Sequence, residues 1–335
     1  MTPADAASPP PVLADLGESG LLARVFPLLP VGAHTLLGPG DDAAVVAAPD
    51  GRVVATADVL VEGRDFRRDW SSAQDVGWKA AAQNLADVAA MGAVPTSLLV
   101  SLVAPATLPV DWVLDLVRGL ADACEGTGAG VVGGDLSSGD AITVAVTALG
   151  DLQGRTPVLR SGAQAGQDVA LAGVLGLSAG GLQALRAWGP DVAAGRCPYL
   201  LAAHRRPRPP YGLGPVAAAA GATAMLDISD GLLRDAARVA AASDVAIDLD
   251  EAALGWYVER LRPAAQAHGV DPWQWVLGGG EDHGLLAVFA SGQAPDGFIV
   301  IGRTQAASGG PAVTVNGRDL FPGSGWDHFT THLPH

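Results

Sequence analysis

Five short segments of the chain set aspartates among glycines and small apolar residues: Gly40-Asp41-Asp42-Ala43-Ala44, Thr56-Ala57-Asp58, Asn84-Leu85-Ala86-Asp87, Gly133-Gly134-Asp135 and Leu226-Asp227-Ile228-Ser229-Asp230-Gly231. A carboxylate in apolar surroundings costs several kcal/mol unless a cation or hydrogen bonds compensate it. Lysine and arginine are scarce beside these segments. The economical source of positive charge is a set of divalent metal ions arriving with a phosphate ligand.

Each segment also has a plainer use. Asp41 and Asp42 suit a turn. Ser229 or Asp230 suits the N-cap of a helix. Asn84 and Asp87, three apart on a helix, share a face that water could cover. Taken together the segments favour metal–phosphate chemistry. Adjacent carboxylates at 41 and 42 repel, and a shared cation removes the conflict. The residues around Asn84 and Asp87 are almost all Ala, Leu and Val, which suits a ligand better than a solvated face. A strand-to-helix junction after Asp227 suits phosphate, because helix N-terminal amides point at it.

Other chemistries lack their residues. Lys79, the single lysine, lies in Trp78-Lys79-Ala80 and not in Gly-Lys-Ser/Thr, so there is no Walker A loop and no Schiff-base lysine is expected. His34, His204, His268, His283, His328, His332 and His335 lack the spacing of a zinc helix and form no constellation. No Gly-x-Ser-x-Gly elbow is present. Cys124 and Cys197 read as packing residues. Gly128-Ala129-Gly130-Val131-Val132-Gly133 matches GxGxxG, but it follows a helix and leads into a strand, the reverse of the dinucleotide-binding context.

The elements that must position the aspartates follow from pattern. Strands are expected at 52–61, 97–103, 131–132, 141–149, 168–172, 245–249, 285–289, 298–301 and 312–315. Ser72-Ala73-Gln74-Asp75 has capping-box form and opens a helix to about Met91, stopped at Gly92. Further helices are expected at 109–124, 177–188, 215–220 and 232–242. Acidic loops are expected at Gly133-Gly134-Asp135 and Gly278-Gly279-Gly280-Glu281-Asp282. Interleaved strands and helices in both halves give an α/β class with two units, and the turn-rich stretch 150–166 is the expected boundary.

With 335 residues, 49% hydrophobic and 16% charged, the chain is globular. A net charge of −15 without a basic stripe argues against duplex nucleic acid. No apolar run reaches the ~20 residues of a membrane span. Met1 to Pro11 lacks the form of a signal peptide and reads as a frayed tail, so the cytoplasm is the expected compartment.

These residues resemble the thiamine-monophosphate kinase family, in the aminoimidazole-ribonucleotide synthetase (PurM-like) superfamily. The likeness runs from Leu16-Gly17-Glu18 to Gly325-Trp326-Asp327-His328-Phe329. It rests on 40–44, Asn84 to Gly92, 133–135, Arg160-Ser161-Gly162, 226–232 and Gly279-Gly280-Glu281-Asp282. The resemblance implies a PurM-like fold of two α/β domains. Residues 1–150 would be the N-terminal, ATP- and Mg-binding, dimerising domain, and 151–335 a C-terminal domain completing the nucleotide and substrate site. It implies a homodimer and ATP-dependent phosphorylation of thiamine monophosphate to thiamine diphosphate. Asp42, Thr56, Asp58, Asp87, Asp135, Asp227 and Asp230 would hold several Mg²⁺ ions. Gly134, Asp135, Arg160 and Ser229 would contact ATP, and Glu281 and Trp326 the thiamine. Relatives that use a reactive N-terminal cysteine, a C-terminal cysteine or a lysine in a Gly-rich phosphate segment match less well. One departure stands out: the family usually has a histidine two residues after the Gly of Val61-Glu62-Gly63, and here that position is Asp65. Asp65 leaves two alternatives open, another PurM-like synthetase acting on a phosphorylated small molecule and a non-catalytic nucleotide- and metal-binding homologue.

Overall fold

The structure is a computed structural model that describes residues 10–320 and Gly325. Its first half runs α1 Leu13–Val25, β1 Thr35–Leu37, β2 Val45–Val46, β3 Val54–Val61, α2 Ala73–Ala90, β4 Val94–Ala104, α3 Val110–Cys124, β5 Gly130–Ser138 and β6 Thr143–Asp151. Its second half runs β7 Asp168–Ala172, α4 Leu177–Arg196, α5 Pro198–Arg205, α6 Leu213–Ala219, β8 Ala224–Ile228, α7 Leu232–Ser243 and β9 Val245–Leu249. It continues with α8 Glu251–His268, α9 Pro272–Gly278, β10 Gly284–Phe289, β11 Ile299–Ala306 and β12 Ala312–Val315. The α/β class is as expected. A four-stranded sheet has the order β3-β6-β4-β5 and a six-stranded sheet the order β12-β9-β11-β7-β10-β8.

Local chemistry explains most of the element ends. Ser72 Oγ accepts the Asp75 N–H and the Asp75 carboxylate reaches back to the Ser72 N–H, so the capping box forms as expected. Met91 and left-handed Gly92 end that helix. Gly189, also left-handed, breaks α4 after Trp188, where the sequence pattern stops, and Pro190 starts a second helical stretch.

Several expectations need correction. Gly133-Gly134-Asp135 is not a loop: β5 continues through it, paired in parallel with β4. Helices α1, α5, α8 and α9 lay outside the sequence expectations, because α8 carries Pro263 and the others are short or broken by glycine. Of the tail, residues 1–9 lie outside the described residues, while Pro11 is pinned by the Val110 N–H on its carbonyl at 2.9 Å.

The six-stranded sheet is covered on both faces. Val169, Leu171, Leu226, Ile228, Leu286 and Val288 enter one core. Ala170, Ala172, Met225, Leu285, Ala287 and Phe289 enter another, together with Ala90 and Val158. This explains why β7, β8 and β10 read as unbroken apolar runs. The four-stranded sheet buries Leu98, Leu102, Val144 and Val146 under α2 and α3. Its other face carries Val59 at 50% exposure and Leu99 at 38%.

Helix α2 is enclosed. Ala80, Ala81, Ala82, Leu85, Ala86, Val88 and Ala89 are each at most 1% exposed. It packs on α3, β3, β4 and β6 on one side and on β8, α5 and α6 on the other. The approach to α3 is a backbone contact. A Cβ on Gly77 would lie 1.9 Å from the Leu116 carbonyl oxygen, and one on Gly119 would lie 2.0 Å from that of Gln74.

This contact gives a test with an unusual sign. In an open helix Gly→Ala stabilises by about 0.5–1 kcal/mol. Here Gly77→Ala and Gly119→Ala should each destabilise by about 1–3 kcal/mol, because the helices must separate. Urea unfolding of the variants against wild type reads the difference.

Candidate active site

Strand β3 is tied to α2 by two side chains of the predicted face. Thr56 donates its hydroxyl to Asp87 Oδ2 at 2.8 Å. The Asp58 N–H donates to Asn84 Oδ1 at 3.1 Å, while the Asn84 amide bonds the Ala80 carbonyl at 2.8 Å. Asn84 is fully buried. Alternation along β3 turns Thr56 and Asp58 toward α2 and leaves Ala55, Ala57 and Val59 on the open face.

From the second half, β8 brings Asp227, which is 4% exposed. Its neighbours Leu226 and Ile228 face the larger core, so Asp227 shares the opposite face, with Met225, against α2. The Asp87 carboxyl is consequently pushed up to about 7, by burial first and then by the charges of Asp227 and Asp58, against the pull of Thr56 and His283. Carboxylate charges from β3 and β8 thus act on the Asp87 carboxyl of α2.

The expectation that these aspartates lack partners within the chain is only partly met. Arg238 on α7 bonds Asp230 Oδ2 at 2.5 Å and the buried Asp235 at 2.5 Å. His283 Nδ1 lies 3.0 Å from Asp227 Oδ2. Burial would lower the His283 imidazole, but the bond and charge of Asp227 raise it above its ordinary value. The N-cap of α7 is Gly231, so neither Ser229 nor Asp230 caps it, and Asp235 takes the Asp230 N–H at 2.9 Å.

The glycine-rich loop after α9 is the second working part. Glu281 and His283 both have left-handed φ, +63° and +52°, a conformation that costs non-glycine residues and concentrates at functional sites. Their N–H groups bond the Ser229 and Ile228 carbonyls at 2.8 and 2.9 Å, which clamps the loop onto the end of β8. The twist aims three side chains three ways. His283 meets Asp227. Asp282 accepts the Gly176 and Ser178 N–H groups at 2.5 and 2.9 Å and closes the N-terminus of α4. Glu281 Oε1 lies 2.6 Å from Lys79 Nζ, and its Oε2 lies 3.3 Å from His204 Nδ1. Burial opposes ionisation of Glu281, but Lys79 and His204 outweigh it and hold the carboxyl below its ordinary range. Burial pushes His204 below its own ordinary value. Sequence reasoning gave Lys79, His204 and His283 no role, and the structure pairs each of them with a carboxylate. No periodicity points to these contacts, because they join residues more than 50 positions apart.

The remaining expected site residues make contacts of their own. Asp42 is exposed between β1 and β2, its N–H held by Asp41 Oδ1 at 2.9 Å, so Asp41 does serve the turn. Gly134 and Asp135 lie on the exposed end of edge strand β5. Arg160 is exposed, and its carbonyl accepts the Ser243 hydroxyl at 2.9 Å. Ser229 contributes the carbonyl that holds Glu281. Asp65 turns its Oδ2 onto the Val61 N–H at 2.8 Å, closing the turn after β3. Trp326 lies outside the described residues.

The convergent carboxylates fit Mg²⁺. Like charges press on Asp87, and a hard divalent ion relieves them. Among the described residues no group of three or more acidic, imidazole or thiol side chains is placed to hold a metal ion by itself.

The chain is an α/β protein, and the family described as AIR synthase related protein, N-terminal domain, matches its residues 40–152. Within that class it belongs to the thiamine-monophosphate kinase family. It is 49% identical over 320 residues to the thiamine-monophosphate kinase of Mycobacterium tuberculosis, covering 95% of this chain and 93% of that one. It is 42% identical over 322 residues to that of Corynebacterium glutamicum, covering 95% of each. The solved structure of AaThiL complexed with AMPPCP and TMP superposes with a TM-score of 0.75 at 32% identity, covering 94% of this chain and 98% of that one.

Asp282 gives a pH test. Burial pushes its carboxyl up to about 7 in spite of the two N–H donors. An unfolded aspartate titrates near 3.9. The native state thus holds this proton more tightly, and the stability it contributes is present below about pH 4 and lost as pH rises through about 7. Asp282→Asn should remove that loss, so the stability of the variant relative to wild type improves from pH 5 to pH 8. Urea midpoints at both pH values decide it.

Proposed function

We propose that the protein is a Mg²⁺-dependent kinase that transfers the γ-phosphoryl group of ATP to thiamine monophosphate, giving thiamine diphosphate and ADP. The observation that carries this reading is the convergence of Asp58, Asp87 and Asp227 from the two halves, with Thr56 and Asn84 fixing the first two. The family to which the chain belongs supports the substrate pair.

The acceptor is a phosphate oxygen, largely ionised near pH 7 because its second pKa is about 6. It attacks the γ-phosphorus, the bond to the β-phosphate oxygen breaks, and ADP leaves with the electron pair. A strong general base is unnecessary, which agrees with His204 and His283 being committed to Glu281 and Asp227. When bound, Mg²⁺ cancels phosphate repulsion and favours in-line transfer. On this reading Asp58, Asp87 and Asp227, with Asp42, Asp135 and Asp230, hold the ions. Gly134, Asp135, Arg160 and Ser229 bind ATP, with Arg160 neutralising equatorial phosphate charge. The α7 N-terminus, free of a side-chain cap, offers amides to phosphate. Glu281, Trp326 and the turn at Asp65 form the thiamine side. Residues 1–150 then act as the ATP- and Mg-binding domain and 151–335 as the domain that completes the site.

We further read the protein as a cytoplasmic homodimer. Two unpaired buried cysteines suit a reducing compartment. The open face of the four-stranded sheet, with Val59 and Leu99 half-exposed, is the surface a second copy would cover.

Incubation with ATP, Mg²⁺ and thiamine monophosphate, followed by chromatography, should yield thiamine diphosphate; nucleotide binding without product would favour a non-catalytic homologue. Asp87→Asn and Asp227→Asn should lower turnover by about 100-fold or more with the far-UV spectrum unchanged. Near wild-type turnover in either variant removes the metal-cluster reading. Leu99→Asp combined with Val59→Asp should convert a dimer to a monomer in sedimentation velocity, and a wild-type chain that sediments as a monomer contradicts the assembly.

A further inference from the structure

We propose that Lys79 is the positioning residue of the acceptor site: its ammonium group sets the carboxylate of Glu281 and thereby the affinity for thiamine monophosphate, without serving ATP. The inference rests on the proposed reading of Glu281 as a substrate contact.

Lys79 is the single lysine of the chain and only 4% exposed. It projects from an otherwise apolar and enclosed stretch of α2, where burying an ammonium group is costly unless it is paired. A methionine would suit such a stretch at less cost, so the packing of α2 does not explain the charge. Its contacts do. Nζ lies 2.6 Å from Glu281 Oε1 and 3.2 Å from the Asp65 main-chain carbonyl. One ammonium group therefore joins the loop after α9 to the turn after β3, the two places assigned to the acceptor.

The charge balance at Glu281 makes Lys79 the dominant partner. His204, pushed toward its neutral form by burial, divides its Nδ1 between Ser178 Oγ at 3.0 Å and Glu281 at 3.3 Å. The full countercharge comes from Lys79. The backbone beneath Glu281 is left-handed and strained, so the direction of its carboxylate depends on outside restraint. With Oε1 fixed by Lys79, the side chain, still 37% exposed, presents its remaining lone pairs in one direction. A preset carboxylate saves a ligand the cost of ordering it.

A purely structural lysine would, when removed, lower stability and affect both substrates alike. A positioning lysine affects one. Wild-type turnover of thiamine monophosphate is measured first, and its absence refutes the kinase reading whatever Lys79 does. Given turnover, Lys79→Met should raise KM for thiamine monophosphate about tenfold while KM for ATP stays within about twofold, the pattern of lost binding to one substrate. An unchanged KM for thiamine monophosphate in folded Lys79→Met, or an equal rise in both KM values, overturns the proposal. In a Glu281→Gln background Lys79→Met should add less than about twofold, because coupled residues are non-additive; effects that multiply show that Lys79 does not act through Glu281. If Lys79→Met does not fold, Lys79→Arg replaces it. Its planar head keeps the charge but approaches Glu281 differently, and should raise KM for thiamine monophosphate about threefold with KM for ATP unchanged. A wild-type KM for thiamine monophosphate in Lys79→Arg overturns the proposal.

Discussion

Everything in this molecule hangs on a helix with no outside. Helix α2 meets the four-stranded sheet and α3 on one side and elements of the second half on the other, and its alanines let backbones come close. Few side chains that leave such a helix reach water: along α2 only Gln74, Trp78 and Asp87 are partly exposed. Its polar side chains enter a partner or a site. Asp75 enters an ion pair with Arg206 at 2.5 Å, and Trp78 donates its indole N–H to the Pro207 carbonyl at 2.6 Å. Lys79 enters Glu281, Asn84 enters β3, and Asp87 enters the carboxylate cluster. The helix thus works as an axle that delivers polar groups to both halves in a fixed order.

That order separates two electrostatic regimes along one element. Near the start of α2, opposite charges meet and cancel within the chain: Asp75 with Arg206, Lys79 with Glu281. Toward its end, like charges meet and do not cancel: Asp87 with Asp58 and Asp227. The first regime closes the seam between the halves. The second leaves a site that wants positive charge. About two helical turns lie between Lys79 and Asp87, or roughly 12 Å at 1.5 Å per residue. A ligand with a cationic ring and a phosphate tail can span both.

Much of this was legible in the sequence, for reasons that differ by element. The capping box at Ser72, the stop at Gly92 and the strands of the second sheet follow from local rules that tertiary structure left intact. The Asn84–Asp87 face was legible because helical spacing alone decides it. The extension of β5 through Gly133-Gly134 was not, since glycines usually break strands and here they admit a close neighbouring backbone. The partners of Glu281 were not legible either. Nothing local distinguishes Lys79 from a surface lysine, and His204 and His283 lie on unrelated segments. Opposite charges such as Arg238 and Asp230, eight residues apart, were within reach of helical arithmetic, but the intervening Gly231 hid where the helix begins.

The turn at Asp65 ties one residue to two duties. Its carboxylate holds the Val61 N–H, its own N–H bonds the Val61 carbonyl at 2.9 Å, and its carbonyl receives Lys79. Position 65 is thus spent on closing the strand that carries Thr56 and Asp58. Replacing this aspartate, by histidine for example, removes the carboxylate that accepts the Val61 N–H. A substitution at position 65 is therefore a change to the turn that ends β3 and to the seat of the Lys79 ammonium group at once.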